Sequence, residues 1–383
     1  MRKLAHIETV TNIRPIAGCD NIVQCNVLGW NVIIKKDEFK EGDKCVYIEI
    51  DSICPSDNPD FAFLEKKHYK IKTMKMKGTI SQGIVFPMSI LHNDKDFNIG
   101  DDVTDLLKIT EIEDEVPDTR SINKDQRQKQ FKAKHKKFFK NPIVKHLMKY
   151  SLFRKIVFSF MPKKKNKKYG FPSYIVKTDE VRLQNMPWVL ESCKETPMIV
   201  TEKLDGTSST YGLQRIKKNK FDFAVCSRNV RQETPDKVCY YADMPNVYWE
   251  MAIKYNIENI LKDLQKKYNA DTVVIQGETI GEGIQKNKYS IKGHDLYVFN
   301  LIINGKRVDS VKAREIVNKY NLKFVPILDE SFILLDNVDD MITYADGKSQ
   351  ICDTLREGVV IRNYDKNISF KCISNKFLLK HNI

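Results

Sequence analysis

The stretch TEKLDGTSST, residues 201 to 210, contains a lysine whose spacing to its neighbours could serve covalent chemistry. Lys203 stands two residues before Asp205 and three before Gly206, between the apolar stretch PMIV and a small polar run. Asp-Gly pairs are strong turn signals, so the pattern could be an ordinary surface turn. The same pattern can also present a lysine that attacks a nucleotide. The residues that accompany Lys203 must separate the two interpretations.

Further short motifs follow Lys203 along the chain. They are Ser-Arg-Asn at 227–229, Gln-Gly-Glu at 276–278 ending an apolar stretch, Phe299 in a β-rich stretch, Glu-Gly-Val-Val-Ile-Arg at 357–362, and Ser-Phe-Lys at 369–371. Taken singly, each fits a plain structural role, because charged residues are common at strand ends and phenylalanine is common in cores. Their order along the chain is what indicates a single site.

The ordered set resembles the covalent nucleotidyltransferase superfamily of ATP-dependent ligases and capping enzymes, and within it the RNA ligases of the Deinococcus radiodurans type. The superfamily motifs read K-x-D-G, a Ser-Arg element, a Gly-Glu strand, an aromatic strand, Glu-Gly-x-Val and a lysine strand. Two more stretches are similar to signatures of this RNA ligase family: FPSYIVKTDEVRLQN before the lysine, and IKTMKMKGTISQGIVFP near the N-terminus.

The resemblance implies an RNA repair enzyme that uses ATP and Mg²⁺ or Mn²⁺. It would join a 3′-hydroxyl to a 5′-phosphate in RNA through a lysyl-AMP intermediate. The implied catalytic residues are Lys203, Asp205, Glu278, Glu357 and Lys371, and the implied metal ligands are Asp205, Glu278 and Glu357. The implied nucleotide-binding residues are Arg182, Glu202, Lys203, Leu204, Arg228, Glu278, Phe299, Val360 and Lys371.

Several of these residues take individual roles from the resemblance. Phe299 would stack on adenine, and Val360 would pack on its other face. Lys371 would contact the α-phosphate, and Arg228 the ribose or the nucleic acid. Arg182 matches a family arginine near the phosphates.

Lysine chemistry explains why positive charge should surround Lys203. Formation of a phosphoramidate requires a neutral amine, whereas a free lysine has a pKa of about 10.4 and is protonated at neutral pH. A metal ion and the ammonium group of Lys371 would favour the uncharged amine. Activation of Lys203 should therefore come from its environment.

The final strand departs from the superfamily pattern, which often has Lys-x-Lys there. Lys371 and Ile373 occupy the two positions in this chain, and side chains two apart in a strand share a face. Lys376 follows a Ser-Asn turn and could replace the missing ammonium group, although a surface position is the usual one for lysine. Arg182 or a lysine of the N-terminal domain is the alternative source of charge.

The elements that must position these residues fall into an α+β fold. Short β-rich stretches bounded by Gly, Asp and Pro predict an OB-like β-barrel domain over residues 1–115, namely NIVQCNVLGWNVIIKK, KCVYIEI and ISQGIVFPM. Over 170–383, strands alternate with helices and predict a largely antiparallel α+β core, which the resemblance identifies as a nucleotidyltransferase (ATP-grasp-like ligase) domain. The predicted strands there are PMIVTEKL, FDFAVCSR, TVVIQGET, LYVFNLIING, GVVIRN and ISFKCI. NVYWEMAIKYNIENILKDLQKKY is predicted as one long helix, and VKAREIVNKY as a shorter one. With the barrel at the N-terminus and 12 residues after Lys371, the order favours RNA ligases over DNA ligases and capping enzymes.

A strongly basic linker, residues 116–169, separates the two predicted domains. Between Arg127 and Lys168 the chain has 16 Lys and Arg residues and no Asp or Glu, which exceeds the net charge of +14 for the whole chain. Val144, Leu147, Met148, Phe153, Ile156 and Phe160 predict an amphipathic helix that begins near Pro142. We favour contact with RNA phosphates, with a solvated linker and docking at a membrane surface as alternatives.

Composition bounds the remaining possibilities. The nine cysteines are scattered without a Cys-x-x-Cys pair and the seven histidines are dispersed, which favours reduced thiols in the cytoplasm and disfavours a zinc site. Neither a signal peptide nor a membrane span is expected. We predict a monomeric cytoplasmic enzyme, with the nucleus or a viral factory as alternative locations. The competing functions are an RNA-binding or membrane-surface protein with an inactive transferase domain, and another polynucleotide ligase of the superfamily.

Overall fold

The structure is a computed structural model, and it describes residues 3–93, 95–112, 132, 135–159, 170–218, 220–234 and 246–382. These residues form two compact units. The first unit comprises the described residues of Met1–Asp114, Asp179–Asp205 and Val325–Ile383, and the second those of Glu115–Thr178 and Gly206–Phe324. Lys203 and Glu357 therefore belong to the first unit, and Glu278 and Phe299 to the second.

The N-terminal part of the first unit is built from short strands and tight turns. The strands are β1 Ala5–Pro15, β2 Ile22–Val27, β3 Trp30–Lys35, β4 Lys44–Ile48, β5 Ser52–Ile53, β6 Lys70–Ile71, β7 Met74–Met76, β8 Thr79–Ser81, β9 Ile84–Phe86 and β10 Thr110–Glu111. Short 3₁₀ turns occupy Pro59–Lys67 and Met88–Leu91.

β1 lies at the centre of this part. It pairs antiparallel with β2 and β4 in a five-stranded sheet of order β3-β2-β1-β4-β9. A second sheet has the order β10-β5-β6, and β7 pairs with β8 in a hairpin. β3 shows why such strands form, because Trp30, Val32 and Ile34 alternate inward with half-buried residues between them.

The longest of these strands, β1, was absent from the strands predicted from sequence. Its register with β2 shifts between Thr11 and Arg14, and Asn12 has a φ of 53°. A bulge of this kind interrupts the period-two alternation on which a sequence prediction depends.

The basic segment forms three short helices where the structure describes it: α1 Lys136–Lys140, α2 Pro142–Leu147 and α3 Ser151–Ser159. The predicted start at Pro142 is confirmed, and Asn141 caps α2 by accepting a hydrogen bond from the amide of Ile143 at 2.9 Å. The single predicted helix is wrong, because a turn at 148–150 separates α2 from α3. That turn shortly precedes Phe153, which is one position away from the apolar stripe of an ideal helix. Phe160 lies outside the described residues, and so do the lysines between 163 and 168.

The rest of the chain alternates strands with helices. The elements are β11 Val181–Arg182, α4 Trp188–Ser192, β12 Met198–Lys203, β13 Thr207–Lys217, β14 Lys220–Cys226, α5 Val247–Lys254, α6 Ile257–Lys267, β15 Thr272–Gly281, β16 His294–Ile303, β17 Lys306–Arg307, α7 Ser310–Asn318, β18 Lys323–Phe324, β19 Ile327–Phe332, α8 Val338–Ala345, β20 Gly358–Asn363, β21 Ile368–Ile373 and α9 Asn375–His381. The predicted α+β class is confirmed.

The predicted long helix over 246–268 is two helices instead. Asn256 has a φ of 51°, in the left-handed region, and this residue separates α5 from α6. Asparagine adopts this region at low cost, so it can end one helix and begin another without a glycine or proline signal.

The first unit contains one further sheet, with the order β11-β21-β20-β12-β19. Ile373 at the end of β21 and Leu378 of α9 are buried in the same core as the barrel residues Trp30 and Tyr47. The amide of Gly29 donates to the carbonyl of Gln184 at 2.9 Å. The barrel and this sheet are therefore packed together within the first unit.

The second unit is organised around a sheet of order β14-β13-β15-β16-β17, with β18 on β16. α6 buries Ile257, Ile260, Leu261 and Leu264, and this spacing places them on one helical face. α6 packs on β13 and β15, and α7 on β16 and β18. Near its other surface, Ile175 packs with Val274 of β15 and Ile302 of β16.

Among the helices that the structure describes, none is both long and apolar enough to cross a membrane. The eight cysteines within the described ranges have free thiols.

Candidate active site

Lys203 is the last residue of β12, which lies between β19 and β20. Thr201 and Lys203 pair with Val360 and Gly358 of β20, and Val360 in turn pairs with Lys371 of β21. Residues that face each other across neighbouring strands point to the same side of a sheet. One face of the sheet thus presents Lys203, Val360 and Lys371, three of the residues predicted from sequence.

Lys203 makes the central contact of the site. Its Nζ donates a hydrogen bond to Oε2 of Glu357 at 2.7 Å, and both side chains are largely buried. Burial raises the pKa of Glu357, and the nearby charge of Asp205 raises it further, whereas Lys203 and Lys371 oppose the increase. Lys203, Asp205, Glu357 and Lys371 therefore form one cluster of interacting charges.

Lys371 and Arg182 are neighbours on adjacent strands. β11 runs parallel to β21 and pairs Arg182 with Lys371, whose Nζ donates to Oδ1 of Asp179 at 3.2 Å. Arg182 is buried over the ring of Trp30, and its Nη2 donates to Oδ2 of Asp51 at 2.6 Å. Its Nε and Nη1 are buried without a hydrogen-bond partner among the described residues. These two guanidinium nitrogens can donate hydrogen bonds to an anion such as a phosphate oxygen.

Positions 373 and 376, the two considered for a second ammonium group, differ in their surroundings. Ile373 is buried with barrel residues, so an ammonium group there would lose its hydration without a described partner. Lys376 lies in the first turn of α9, is 68% exposed and pairs with Asp346 at 3.4 Å. Packing of the barrel on β21 thus explains why isoleucine replaces the second lysine.

Glu202 and Leu204 flank Lys203. Side chains alternate along a strand, so Glu202 points to the opposite face from Lys203. Its Oε2 accepts a hydrogen bond from the amide of Gln350 at 2.8 Å, its Oε1 is buried without a hydrogen-bond partner in the described part of the chain, and burial raises the pKa of Glu202. Leu204 is buried. Their predicted contact with the nucleotide stays a prediction.

At two glycines of the motifs, Gly206 and Gly358, neighbouring backbone leaves no space for a side chain. A Cβ on Gly358 would lie 2.2 Å from the carbonyl oxygen of Cys372, and a Cβ on Gly206 would lie 2.4 Å from that of Thr279. Gly206 was expected to allow a tight turn, but its φ is not positive. Both glycines allow neighbouring backbone to approach closely.

Glu278 lies in the second unit, on β15. Its neighbours across the sheet are Ser208 of β13 and Tyr297 of β16. The hydroxyl of Tyr248 lies 2.9 Å from Oγ1 of Thr207, and burial together with the charge of Glu278 raises the pKa of Tyr248. Glu278 is therefore placed on a polar part of this sheet.

Phe299 occupies a bulge of β16. Val298 pairs with Gly277 and Asn300 with Gln276, so Phe299 is the extra residue between these two paired positions. A bulge changes the direction of the side chain it carries. Arg228 is half-buried and lies two residues beyond the end of β14. It belongs to a turn closed by the hydrogen bond from the amide of Ser227 to the carbonyl of Val230 at 2.9 Å.

The carboxylates of the first unit suit a divalent cation. Asp205 and Glu357 are close enough for the charge of one to raise the pKa of the other, and oxygen ligands are those that Mg²⁺ and Mn²⁺ prefer. The described residues contain no preformed group of three or more His, Cys, Asp or Glu side chains for a metal. A pair of carboxylates with water as further ligands is consistent with the way Mg²⁺ binds.

Sequence reasoning missed three residues that organise these sites. Asp179 holds Lys371, Glu180 accepts from Nη2 of the buried Arg362 at 2.9 Å, and Tyr248 lies beside Glu278. Asp179 and Glu180 belong to KTDEVRLQN, where only the arginine received a role. Tyr248 gives no signal beyond its place at the start of a helix.

Comparison with protein families gives two matches. A family described as an OB-fold domain matches residues 4–88, and a family described as RNA ligase matches residues 196–380. The first match confirms the predicted OB-like barrel. Comparison with curated proteins gives no match.

Solved structures of Naegleria gruberi RNA ligase are similar to this chain over its whole length, at 30% sequence identity. The structure with pyrophosphate has a TM-score of 0.77 and covers 100% of this chain and 99% of that one. A lysine-to-methionine mutant with AMP and Mn has a TM-score of 0.78 with the same coverage. A lysine-to-alanine mutant with ATP and Mn has a TM-score of 0.77 and covers 99% of each chain.

Proposed function

The chain belongs to the RNA ligase family and is an ATP-dependent RNA ligase, and we propose that it seals 3′-hydroxyl and 5′-phosphate RNA ends or nicks through a lysyl-AMP intermediate. We further propose that it is of the Deinococcus radiodurans type and acts in RNA repair. The observation that carries the proposal is the cluster of Lys203, Asp205, Glu357 and Lys371 at the end of β12.

The mutants of the Naegleria ligase support these assignments through their spacing. Its exchanged lysine and aspartate are two positions apart, as Lys203 and Asp205 are. An exchanged glutamate and a second exchanged lysine are 14 positions apart, as Glu357 and Lys371 are. This equal spacing supports our assignment of the four residues of the cluster.

In the first step, Nζ of Lys203 attacks the α-phosphorus of ATP. A P–N bond forms, the bond from the α-phosphorus to the leaving oxygen breaks, and pyrophosphate departs. Lys203 must lose a proton, and Oε2 of Glu357 already accepts a hydrogen bond from Nζ at 2.7 Å. Nearby positive charge, from Lys371 and from the divalent cation when it is bound, favours the uncharged amine of Lys203.

Positive charge at the phosphates comes from two residues. We assign Lys371 to the α-phosphate, and Nε and Nη1 of Arg182 to a phosphate oxygen beside it. Asp205 and Glu357, with Glu278 as a further ligand, hold the divalent cation. When bound, this ion neutralises charge that develops on the phosphate oxygens.

The nucleoside is held by apolar and planar groups. We assign Phe299 to stacking on adenine and Val360 to packing against its other face, while Arg228 contacts the ribose or the RNA. Glu202 and Leu204 complete the assigned nucleotide contacts. In the second and third steps, AMP passes to the RNA 5′-phosphate, and a 3′-hydroxyl then displaces AMP as the phosphodiester bond forms.

A covalent label tests the proposal. The protein is incubated with α-labelled ATP and magnesium and separated on a denaturing gel, and we expect a labelled band that GTP produces only weakly. An unlabelled protein that still binds RNA would instead identify an RNA-binding protein with an inactive transferase domain.

The preferred end is tested with nicked duplexes. We expect sealing at least about tenfold faster when the 3′-hydroxyl end carries ribose than when it carries deoxyribose, since a factor of ten corresponds to one well-placed hydrogen bond. Equal rates would contradict the repair of RNA nicks. The free thiols fit a reducing compartment, and we assign the enzyme to the cytoplasm as a monomer.

A further inference from the structure

Three short helices, α1 to α3, concentrate exposed apolar side chains. Within residues 135–159, six large apolar side chains are exposed, and we call them the basic apolar face: Phe138, Ile143, Leu147, Tyr150, Leu152 and Ile156. Ile143 and Leu152 are 68% and 71% exposed, whereas Val157 is buried. Exposed apolar groups that occur together mark an interaction surface, unlike single ones scattered over a protein.

The arrangement along each helix is regular. Ile143 and Leu147 are four residues apart on α2, and Leu152 and Ile156 are four residues apart on α3. Residues with this spacing lie one above the other on a helix surface. α2 and α3 therefore each present a short apolar row to solvent.

Positive charge surrounds these rows. Residues 135–159 contain seven lysines and arginines and no Asp or Glu, namely Lys136, Lys137, Lys140, Lys145, Lys149, Arg154 and Lys155. Basic side chains beside exposed leucine, isoleucine and phenylalanine are typical of helices that lie in a membrane interface. There the apolar rows enter the boundary of the acyl chains, and the basic groups contact anionic headgroups.

We propose that the basic apolar face docks the protein on an anionic lipid surface. RNA phosphates would attract the seven basic groups but would leave Leu152 and Ile156 in water. A second copy of the chain could cover the apolar rows, but it would bring seven further positive charges against the first seven. An anionic bilayer satisfies both properties of the face.

Vesicle sedimentation tests the proposal with the full-length protein. We expect binding to vesicles of phosphatidylserine and phosphatidylcholine, little binding to phosphatidylcholine alone, and weaker binding as salt is raised above about 0.1 M. Absence of binding to the anionic vesicles at low salt would overturn the proposal.

Two variants separate the apolar and the basic contributions. Leu152→Gln with Ile156→Gln should weaken vesicle binding about tenfold, because it removes apolar side chains at constant charge. Lys145→Gln, Lys149→Gln, Arg154→Gln and Lys155→Gln together should weaken it about a hundredfold. The matched control is Ile99→Gln with Leu106→Gln, two exposed apolar residues of the barrel, and it should bind vesicles like the unchanged protein.

Three readouts on the same preparations distinguish the alternatives. Adenylylation of Lys203 should be unchanged in all variants, which shows that they fold and keeps this test independent of the ligase assignment. If the apolar variant bound vesicles normally and the basic variant lost RNA binding, the segment would contact RNA and the proposal would be wrong. Sedimentation velocity covers the third case, since a dimer that only the apolar variant abolishes, without a change in vesicle binding, would also overturn it.

Discussion

Two lysines, Lys203 and Lys371, lie on the same face of one sheet, and their partners differ. Lys203 donates to Glu357, which lies near Asp205, whereas Lys371 pairs with Asp179 and lies beside Arg182. The first arrangement holds the amine that would attack ATP, and the second can present a positive charge to a phosphate. Substitutions at the two lysines should therefore affect different steps.

Lys203→Ala should abolish the covalent label from α-labelled ATP, because no other amine of the described residues donates a hydrogen bond to Glu357. The loss should exceed about a thousandfold, as for other nucleophiles. Sealing of a pre-adenylylated RNA should survive in part, since that substrate bypasses the first step. Undiminished labelling of this variant would remove Lys203 as the nucleophile.

Lys371→Ala and Lys376→Ala form a matched pair. Lys371→Ala should slow adenylylation about a hundredfold or more in single-turnover labelling, because the charge that we assign to the α-phosphate is lost. Lys376 is exposed and pairs with Asp346, so its removal should change the rate less than about twofold. Equal damage from the two substitutions would show that the phosphate contacts are wrongly assigned.

At the scale of elements, the junction between β12, β20 and β21 fixes the geometry of the cluster. Gly358 pairs with Lys203 on one side and Ile373 on the other, and it directly follows Glu357. The strands approach so closely here that a side chain at Gly358 has no space. The glycine thus helps to hold Glu357 at a hydrogen-bonding distance from Lys203.

Gly358→Ala should destabilise the fold by about 1 to 3 kcal/mol in urea denaturation, the usual cost of overpacking. Its Cβ would lie 2.2 Å from the carbonyl oxygen of Cys372, and backbone must move to admit it. Gly170→Ala is the control, because a Cβ there meets none of the described residues within 4 Å and its φ is not positive. Equal stability of the two variants would argue against the close approach of β20 and β21.

At the scale of the first unit, a buried histidine joins the barrel to the sheet that carries Lys203. Nδ1 of His6 lies 2.7 Å from Glu8, and Nε2 lies 3.3 Å from Glu49, which also accepts a hydrogen bond from Asn185 at 2.6 Å. Burial lowers the pKa of His6, but hydrogen bonds to Glu49 and Glu8 outweigh it and raise the pKa to about 9.

Stability should therefore fall as the pH rises through 9. The contribution of His6 is fully present below its unfolded pKa of about 6.5, and it is lost as the pH passes the folded value of about 9. The loss should amount to about 3 kcal/mol in urea denaturation between pH 6 and pH 10. His6→Gln should flatten this part of the pH profile, and an equally steep decline in that variant would contradict the assignment.

The sequence by itself determined most strands of the transferase part and the order of its motifs. β20 and β21 were predicted at their observed bounds, and β12 and α7 within two residues, because period-two and helical patterns there are bounded by turn residues. The OB-like barrel, the α+β class and the family also followed from sequence. β1 and the break at Asn256 did not, because a bulge and a left-handed asparagine leave no regular pattern.

Only the tertiary structure decided which residues act on one another. Lys203 and Glu357 are 154 residues apart, and no local pattern encodes their hydrogen bond. The isoleucine at 373 looked like a missing charge, and packing of the barrel on β21 explains it. The pairs of Arg182 with Asp51 and of Lys371 with Asp179 likewise arise from strand pairing and domain packing. Sequence motifs specify the chemical groups, whereas long-range contacts set their partners, burial and protonation.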